Sequence, residues 1–204
     1  MTSAVEALER LRAGNQQYLA GDSALTKTHA SSRSELVAEQ KPFAIILGCS
    51  DSRVPAEIVF GQGLGDLFVI RVAGNIVAPS QIASVEFAAE NFGTRLVVVL
   101  GHSNCGAVSA TLQQLVKPSQ SRSPHLSSIV SRIQPSVEYL LDANANFDIE
   151  EMIPHAVRAN IEKSVNDLKH GSAILESLIA ENGLQIVGAE YCLESGAVEF
   201  LNND

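Results

Sequence analysis

At 204 residues, 46% of them hydrophobic, the chain can bury a substantial core and fits a single domain over residues 1–204. Lys plus Arg number 14 against 23 Asp plus Glu, and the formal net charge of −9 argues against a nucleic-acid partner or an anionic-membrane surface. No apolar run reaches the ~18–20 residues that cross a bilayer, and the opening MTSAVEALERLRAG interleaves charges with apolar residues, so the expectation is an unexported, cytoplasmic protein with reduced cysteines.

In chain order, Ala4, Leu8, Leu11 and Tyr18 recur at helical spacing, which predicts an amphipathic helix over 3–19 lying outside the sheet. Ser32 to Glu39 reads as a second short helix, and residues 43–48 as a buried central strand. Pro55 suits the first turn of a helix over 56–60, and Gly61, Gly63 and Gly65 mark a tight loop before a strand over 67–71. That loop leads into a strand and lacks the following helix and Lys of a phosphate loop. Ser80 is predicted to cap a helix to about Asn91, ahead of a buried strand over 95–100. Helices are predicted over 105–116, 125–141, 151–168 and 170–181, with a polar loop over 118–124. Residues 184–191 and 197–201 then read as two strands of a hairpin at the sheet edge. The alternation defines the fold class as α/β: a mostly parallel central sheet flanked by helices, with an N-terminal helical arm over 1–40 and a C-terminal edge hairpin.

Two strands run directly into residues with chemistry. The first is followed by Cys49-Ser-Asp-Ser-Arg53, the third by Gly101-His-Ser-Asn-Cys105. In open α/β sheets ligands bind beyond the carboxyl ends of the strands, so both clusters arrive at one edge. Thiolate and imidazole suit Zn²⁺, and His102 with Cys105 three residues on can face one metal together with Cys49. Asp51 is placed to turn inward as a fourth, exchangeable ligand; its bland reading, with Ser52, is a turn residue bonded to its own backbone. A cysteine is by default a small buried hydrophobe; the paired placement reverses that for Cys49 and Cys105 but not for Cys192. His29, His125, His155 and His170 lack ligand spacing and read as surface or helix-end residues.

CSDSRVPAE at 49–57, FVIRVAGN at 68–75 and GHSNCGAV at 101–108 closely resemble the β-class carbonic anhydrases. The likeness extends through RAGNQQYLAGD near the N-terminus and GAEYCLESGAVEFL near the C-terminus. It implies one Zn²⁺ per subunit on Cys49, His102 and Cys105, closed by Asp51 in a resting form. In the active form it implies an Asp51–Arg53 pair and water in the vacated place. The expected activity is reversible hydration of CO₂ to bicarbonate and a proton by zinc-bound hydroxide, with Asp51 and Arg53 gating and orienting the water. Gln62 lies near the family position whose glutamine side chain donates a hydrogen bond to bicarbonate, in a loop one residue longer than the family form. Phe68, Ala73 and Phe87 match the apolar CO₂ pocket, part of it contributed across a subunit interface. The Gly106 N–H is a further donor that a small anion can approach closely. A non-catalytic bicarbonate site of some bacterial members uses a tryptophan; this chain has none, with Ile46 three residues before Cys49, although the matching Arg71 is present.

A helix separated from the sheet by a long polar stretch has little to pack on within its own chain, and the resemblance implies that it wraps a neighbouring subunit in a homodimer or homotetramer. Two rival readings use the same residues: a carbonyl sulfide or carbon disulfide hydrolase on this scaffold, and a non-catalytic zinc protein in which Asp51 never leaves the metal. An Arg53 unable to reach Asp51 would favour the latter.

Overall fold

The computed structural model describes residues 2–21, 36–118, 123–143 and 148–201. Its centre is a five-stranded sheet of β1 (Ala44–Gly48), β2 (Leu67–Arg71), β3 (Leu96–His102), β4 (Gln185–Tyr191) and β5 (Val198–Phe200), in the order β2-β1-β3-β4-β5. The first four are parallel and β5 returns antiparallel to β4. Both faces of the sheet are covered, which is why β1 and β3 read as unbroken apolar runs and are buried at every position.

Side chains alternate between two cores with the period of the pleat. Ile45, Leu47, Val97, Val99 and Ile186 belong to one. Ala44, Ile46, Leu96, Val98, Leu100 and Ala189 belong to the other. The first face is covered by α3 (Pro79–Asn91), α4 (Gly106–Val116), α5 (Pro124–Ala143), α6 (Ile149–His170) and α7 (Ala173–Asn182). The second is covered by α1 (Ala4–Leu19) and the short α2 (Ala56–Val59).

α1 begins with a capping box: Glu6 N–H donates to Ser3 Oγ at 3.2 Å and Ser3 N–H to Glu6 Oε2 at 2.9 Å. Its buried face, Ala4, Ala7, Leu11, Gly14 and Asn15, lies on its own chain. The buried Asn15 amide donates to Val59 O and Gly196 O and accepts from Val198 N–H, each at 3.0 Å. The sequence argument that this helix lacks a seat at home therefore fails for residues 4–19. Small residues let the helix approach closely and a buried amide ties it to two loops, neither of which hydrophobic periodicity reveals.

Other differences are local. The short helix predicted over 32–39 falls largely outside the described residues. Ser80 is not a cap: the cap position is Ala78, two residues earlier, with Pro79 in the first turn, where a fixed φ is already helical. β3 continues two residues past its apolar run, because Gly101 and His102 stay in the ladder opposite Glu190 and Tyr191. A 3₁₀ turn over Ala73–Asn75 follows β2 and was not foreseen.

Candidate metal centre

β1 stands between β2 and β3, so the chain leaves it in opposite directions at the β1/β3 boundary, the switch point where a crevice opens at the carboxyl edge. Gly48 pairs with Leu100, which sets Cys49 level with Gly101 and beside His102. Cys105 is the N-cap residue of α4, extended at φ −65° and ψ 117°. The ligand atoms of Cys49, His102 and Cys105 lie within 4.8 Å of one another, and all three residues are buried. Small side-chain rotations bring such a spacing to the ~2.0–2.3 Å shell of a single ion.

The chemistry of the donor set fits a cation. His102 Nδ1 lies 2.9 Å from Ser103 O, a carbonyl that can only accept, so Nδ1 carries the proton and the neutral ring presents a lone pair on Nε2. That Nε2 is fully buried and has no hydrogen-bond partner among the described residues. The two cysteines divide one charge. A hydrogen bond from the Cys105 thiol holds Cys49 well below the ordinary thiol range. The same bond, followed by burial, pushes Cys105 up against the pull of the Ala107 and Val108 N–H groups at the start of α4. For His102, burial opposes protonation, but the Cys49 sulfur, the Ser103 carbonyl and Asp51 outweigh it and the pKa rises. A buried thiolate, a second thiol whose proton a bound cation would displace and an aimed imidazole are what a soft to borderline dication takes.

Asp51 lies beside this cluster and outside it. Arg53 Nε donates to Oδ1 at 2.9 Å and Nη2 to Oδ2 at 2.7 Å, while the Arg53 N–H closes an Asx turn onto Oδ1 at 3.0 Å. Oδ2 is 3.8 Å from His102 Nε2. The Arg53 side chain, against the opposing effect of burial, holds the carboxyl far below the usual carboxylate range. In this structure both Asp51 oxygens are engaged by Arg53.

Of the five substrate-contact candidates, two lie by the donors. Ala73 opens the turn whose Gly74 N–H points at Cys49 Sγ, 3.4 Å away. Gly106 is the first residue of α4, and a side chain there would meet open space. The other three lie elsewhere on the chain. Gln62 is in the loop before β2, at the amino edge of the sheet, and its amide donates to Phe60 O at 2.7 Å and accepts from Arg10 Nε at 3.1 Å. Phe68 is the second residue of β2, about 13 Å along the strand from the level of Cys49. Its ring lies tilted against those of Phe87 and Phe92, with centroids 6.2 and 6.0 Å away, and Phe87 is half exposed on α3.

Other residues hold the site's backbone. Arg71 donates from Nε to Cys49 O at 3.0 Å and from Nη2 to Asp51 O at 2.5 Å, fastening the first loop. From α6, the buried Asn160 and Ser164 donate to the carbonyls of Gly74 and Asn75. Sequence reasoning missed this pair, although two polar residues four apart on the apolar stripe of Ala156, Val157, Ile161 and Val165 were a readable signal. Cys192 lies in the turn after β4, and no described histidine other than His102 joins the cluster.

These features define a class: parallel α/β proteins with a thiolate and imidazole metal site at the strand ends. Comparison with known proteins narrows it. Residues 44–198 match the family model described as carbonic anhydrase. The chain is 36% identical over 195 residues to carbonic anhydrase 2 of Mycobacterium tuberculosis, covering 96% of this chain and 91% of that protein. It is equally similar, at 36%, to a carbonic anhydrase of Mycolicibacterium smegmatis, covering 96% and 92%. A solved structure reported among two tetrameric β-carbonic anhydrases of Sordaria macrospora superposes with a TM-score of 0.74 at 26% identity, covering 92% of this chain and 93% of that one. The chain belongs to the β-class carbonic anhydrases and is an enzyme of that family. No helix among the described residues is long and apolar enough to cross a membrane.

Proposed function

We propose that this chain catalyses the reversible hydration of CO₂ to bicarbonate and a proton with one Zn²⁺ per subunit held by Cys49, His102 and Cys105. When bound by three protein ligands with a fourth place open, zinc supplies a Lewis acid that makes water nucleophilic near neutral pH. The chain's own residues do the rest. Asp51, kept ionised by Arg53, is an acceptor beside the cluster that orients a water and takes its proton. Arg53 competes with the metal for the same carboxylate, so Asp51 is a gate on the fourth position. The Gly106 N–H donates to the bicarbonate oxygen, and Ala73 is a small apolar wall for CO₂.

Gln62, Phe68 and Phe87 act, on this reading, across a subunit boundary in a homodimer or homotetramer. Support comes from the half-exposed Phe87 on the helix behind the edge strand β2, and from the tetrameric description of the Sordaria proteins. The free state of the described cysteines accords with a reducing, cytoplasmic setting.

The observation that carries the reading is the Asp51–Arg53 fork at 2.7 and 2.9 Å beside a three-donor cluster. It removes the feature that would have favoured a purely structural metal site. The test is stopped-flow CO₂ hydration across pH on protein of known zinc content, with Asp51→Ala and Cys105→Ala alongside. Hydration by the wild type and its loss in both variants is expected; a full equivalent of zinc with no activity at any pH overturns the assignment. Turnover of carbonyl sulfide in its place would transfer the site to the rival substrate.

A further inference from the structure

Outside the donor set, the Gly74 N–H hydrogen-bonds to a ligand sulfur, 3.4 Å from Cys49 Sγ. It belongs to a turn with positive φ at two successive residues, 71° at Gly74 and 44° at Asn75, a backbone state uncommon outside glycine and held here by outside restraint. The restraint comes from α6. Asn160 Nδ2 donates to Gly74 O at 2.8 Å and Ser164 Oγ to Asn75 O at 3.0 Å, both fully within the core. Their neighbours on that face are Ala156, Val157, Ile161 and Val165. If this face had only to pack, apolar residues would serve, since a buried polar side chain costs free energy unless its hydrogen bond is made. Gly74 itself admits no side chain: a Cβ there would lie 2.8 Å from Ile133 Cδ1 and 3.1 Å from Ala107 Cβ.

We infer that Asn160 and Ser164 are positioning residues for the metal thiolate: by fixing the Gly74 and Asn75 carbonyls they aim the Gly74 N–H at Cys49 and set how much charge that sulfur donates to the ion. The inference rests on the metal site proposed above. An N–H···S bond draws electron density from the sulfur, and with two thiolates in the set that withdrawal keeps the ion a stronger Lewis acid. Loss of either α6 donor lets the turn relax and turns the N–H away.

The test uses cobalt(II)-loaded protein, whose sulfur-to-cobalt charge-transfer absorption reports the donor strength of the thiolates without substrate. Asn160→Leu and Ser164→Ala should move that band to lower energy and weaken metal binding about 10-fold in competition with a chromophoric chelator. Ser164→Thr, which retains the hydroxyl, should keep the wild-type band. Val165→Ala, a buried truncation on the same helix, should lower the melting temperature and leave the band in place. Bands unmoved in Asn160→Leu and Ser164→Ala, with only stability lost, would reduce the pair to fold support and overturn the inference. If Asn160→Leu does not fold, Ser164→Ala against Ser164→Thr decides by the same criterion. Wild-type protein that shows the band but hydrates no CO₂ would overturn the enzymatic reading alone, and the comparison of bands would still decide this one.

Discussion

Cys49, His102 and Cys105 could be read from the sequence because donor chemistry is a property of residue type, and strand ends bring such residues to one edge. Cys49→Ser and His102→Ala should each abolish stoichiometric zinc, measured by elemental analysis, with activity falling by more than the ~10–100-fold typical of outer-shell losses. Asp51→Asn preserves shape and removes the charge that Arg53 holds. Its hydration rate near pH 7 should fall about 10²-fold or more with zinc retained, as expected for loss of a positioned proton acceptor. A rate unchanged in Asp51→Asn would remove the gate from the mechanism. The roles of Gln62 and Phe68 were not legible in the same way, since an amide or a ring carries no address, and within one chain both stand apart from the cluster.

Among the elements, α1 shows where hydrophobic periodicity ends. The pattern of Ala4, Ala7 and Leu11 specifies a helix with an apolar face, while its seat depends on Gly14, where a Cβ would lie 1.9 Å from Phe60 O. Gly14→Ala should destabilise the fold by about 1–3 kcal/mol, as overpacking does, seen as a lower urea midpoint at unchanged slope. The same helix is joined to β4 through the Tyr18 and Tyr191 hydroxyls, 3.2 Å apart. Burial first, and the Tyr18 hydroxyl second, push the Tyr191 phenol up from 10.0 to about 12. A raised phenol means that the fold prefers the protonated form, so this contribution is complete below pH 10 and is lost as pH rises from 10 towards 12. Tyr191→Phe should flatten that part of the stability profile in denaturant titrations; a profile identical to wild type would exclude the tyrosine as its source.

For the whole molecule, α1 covers one face of the sheet, and removing it exposes Val54, Val59, Phe60 and Leu100, all buried in the intact chain. Deleting residues 1–30 should give aggregated or unfolded protein; a soluble, fully active monomer would exclude that role. The half-exposed Phe87 and the edge position of β2 in the sheet carry the expectation of assembly. Phe87→Glu should shift sedimentation towards smaller species and lower activity with it, if Gln62, Phe68 and Phe87 complete a neighbouring site. Dissociation without loss of activity would confine those three residues to packing.

The sequence by itself determined the α/β class, the order of the strands along the chain and the soft-donor residues at two strand ends. Periodicity and ligand chemistry are local properties that need no knowledge of neighbours. Only the tertiary structure decided which strands lie side by side, that Asp51 is engaged by Arg53, and that Asn160 and Ser164 reach the turn behind Cys49 from the other end of the chain. Those facts concern where hydrogen bonds close between distant segments. A buried donor is bound to find an acceptor, but the partner it finds is set by how the helices pack on the sheet.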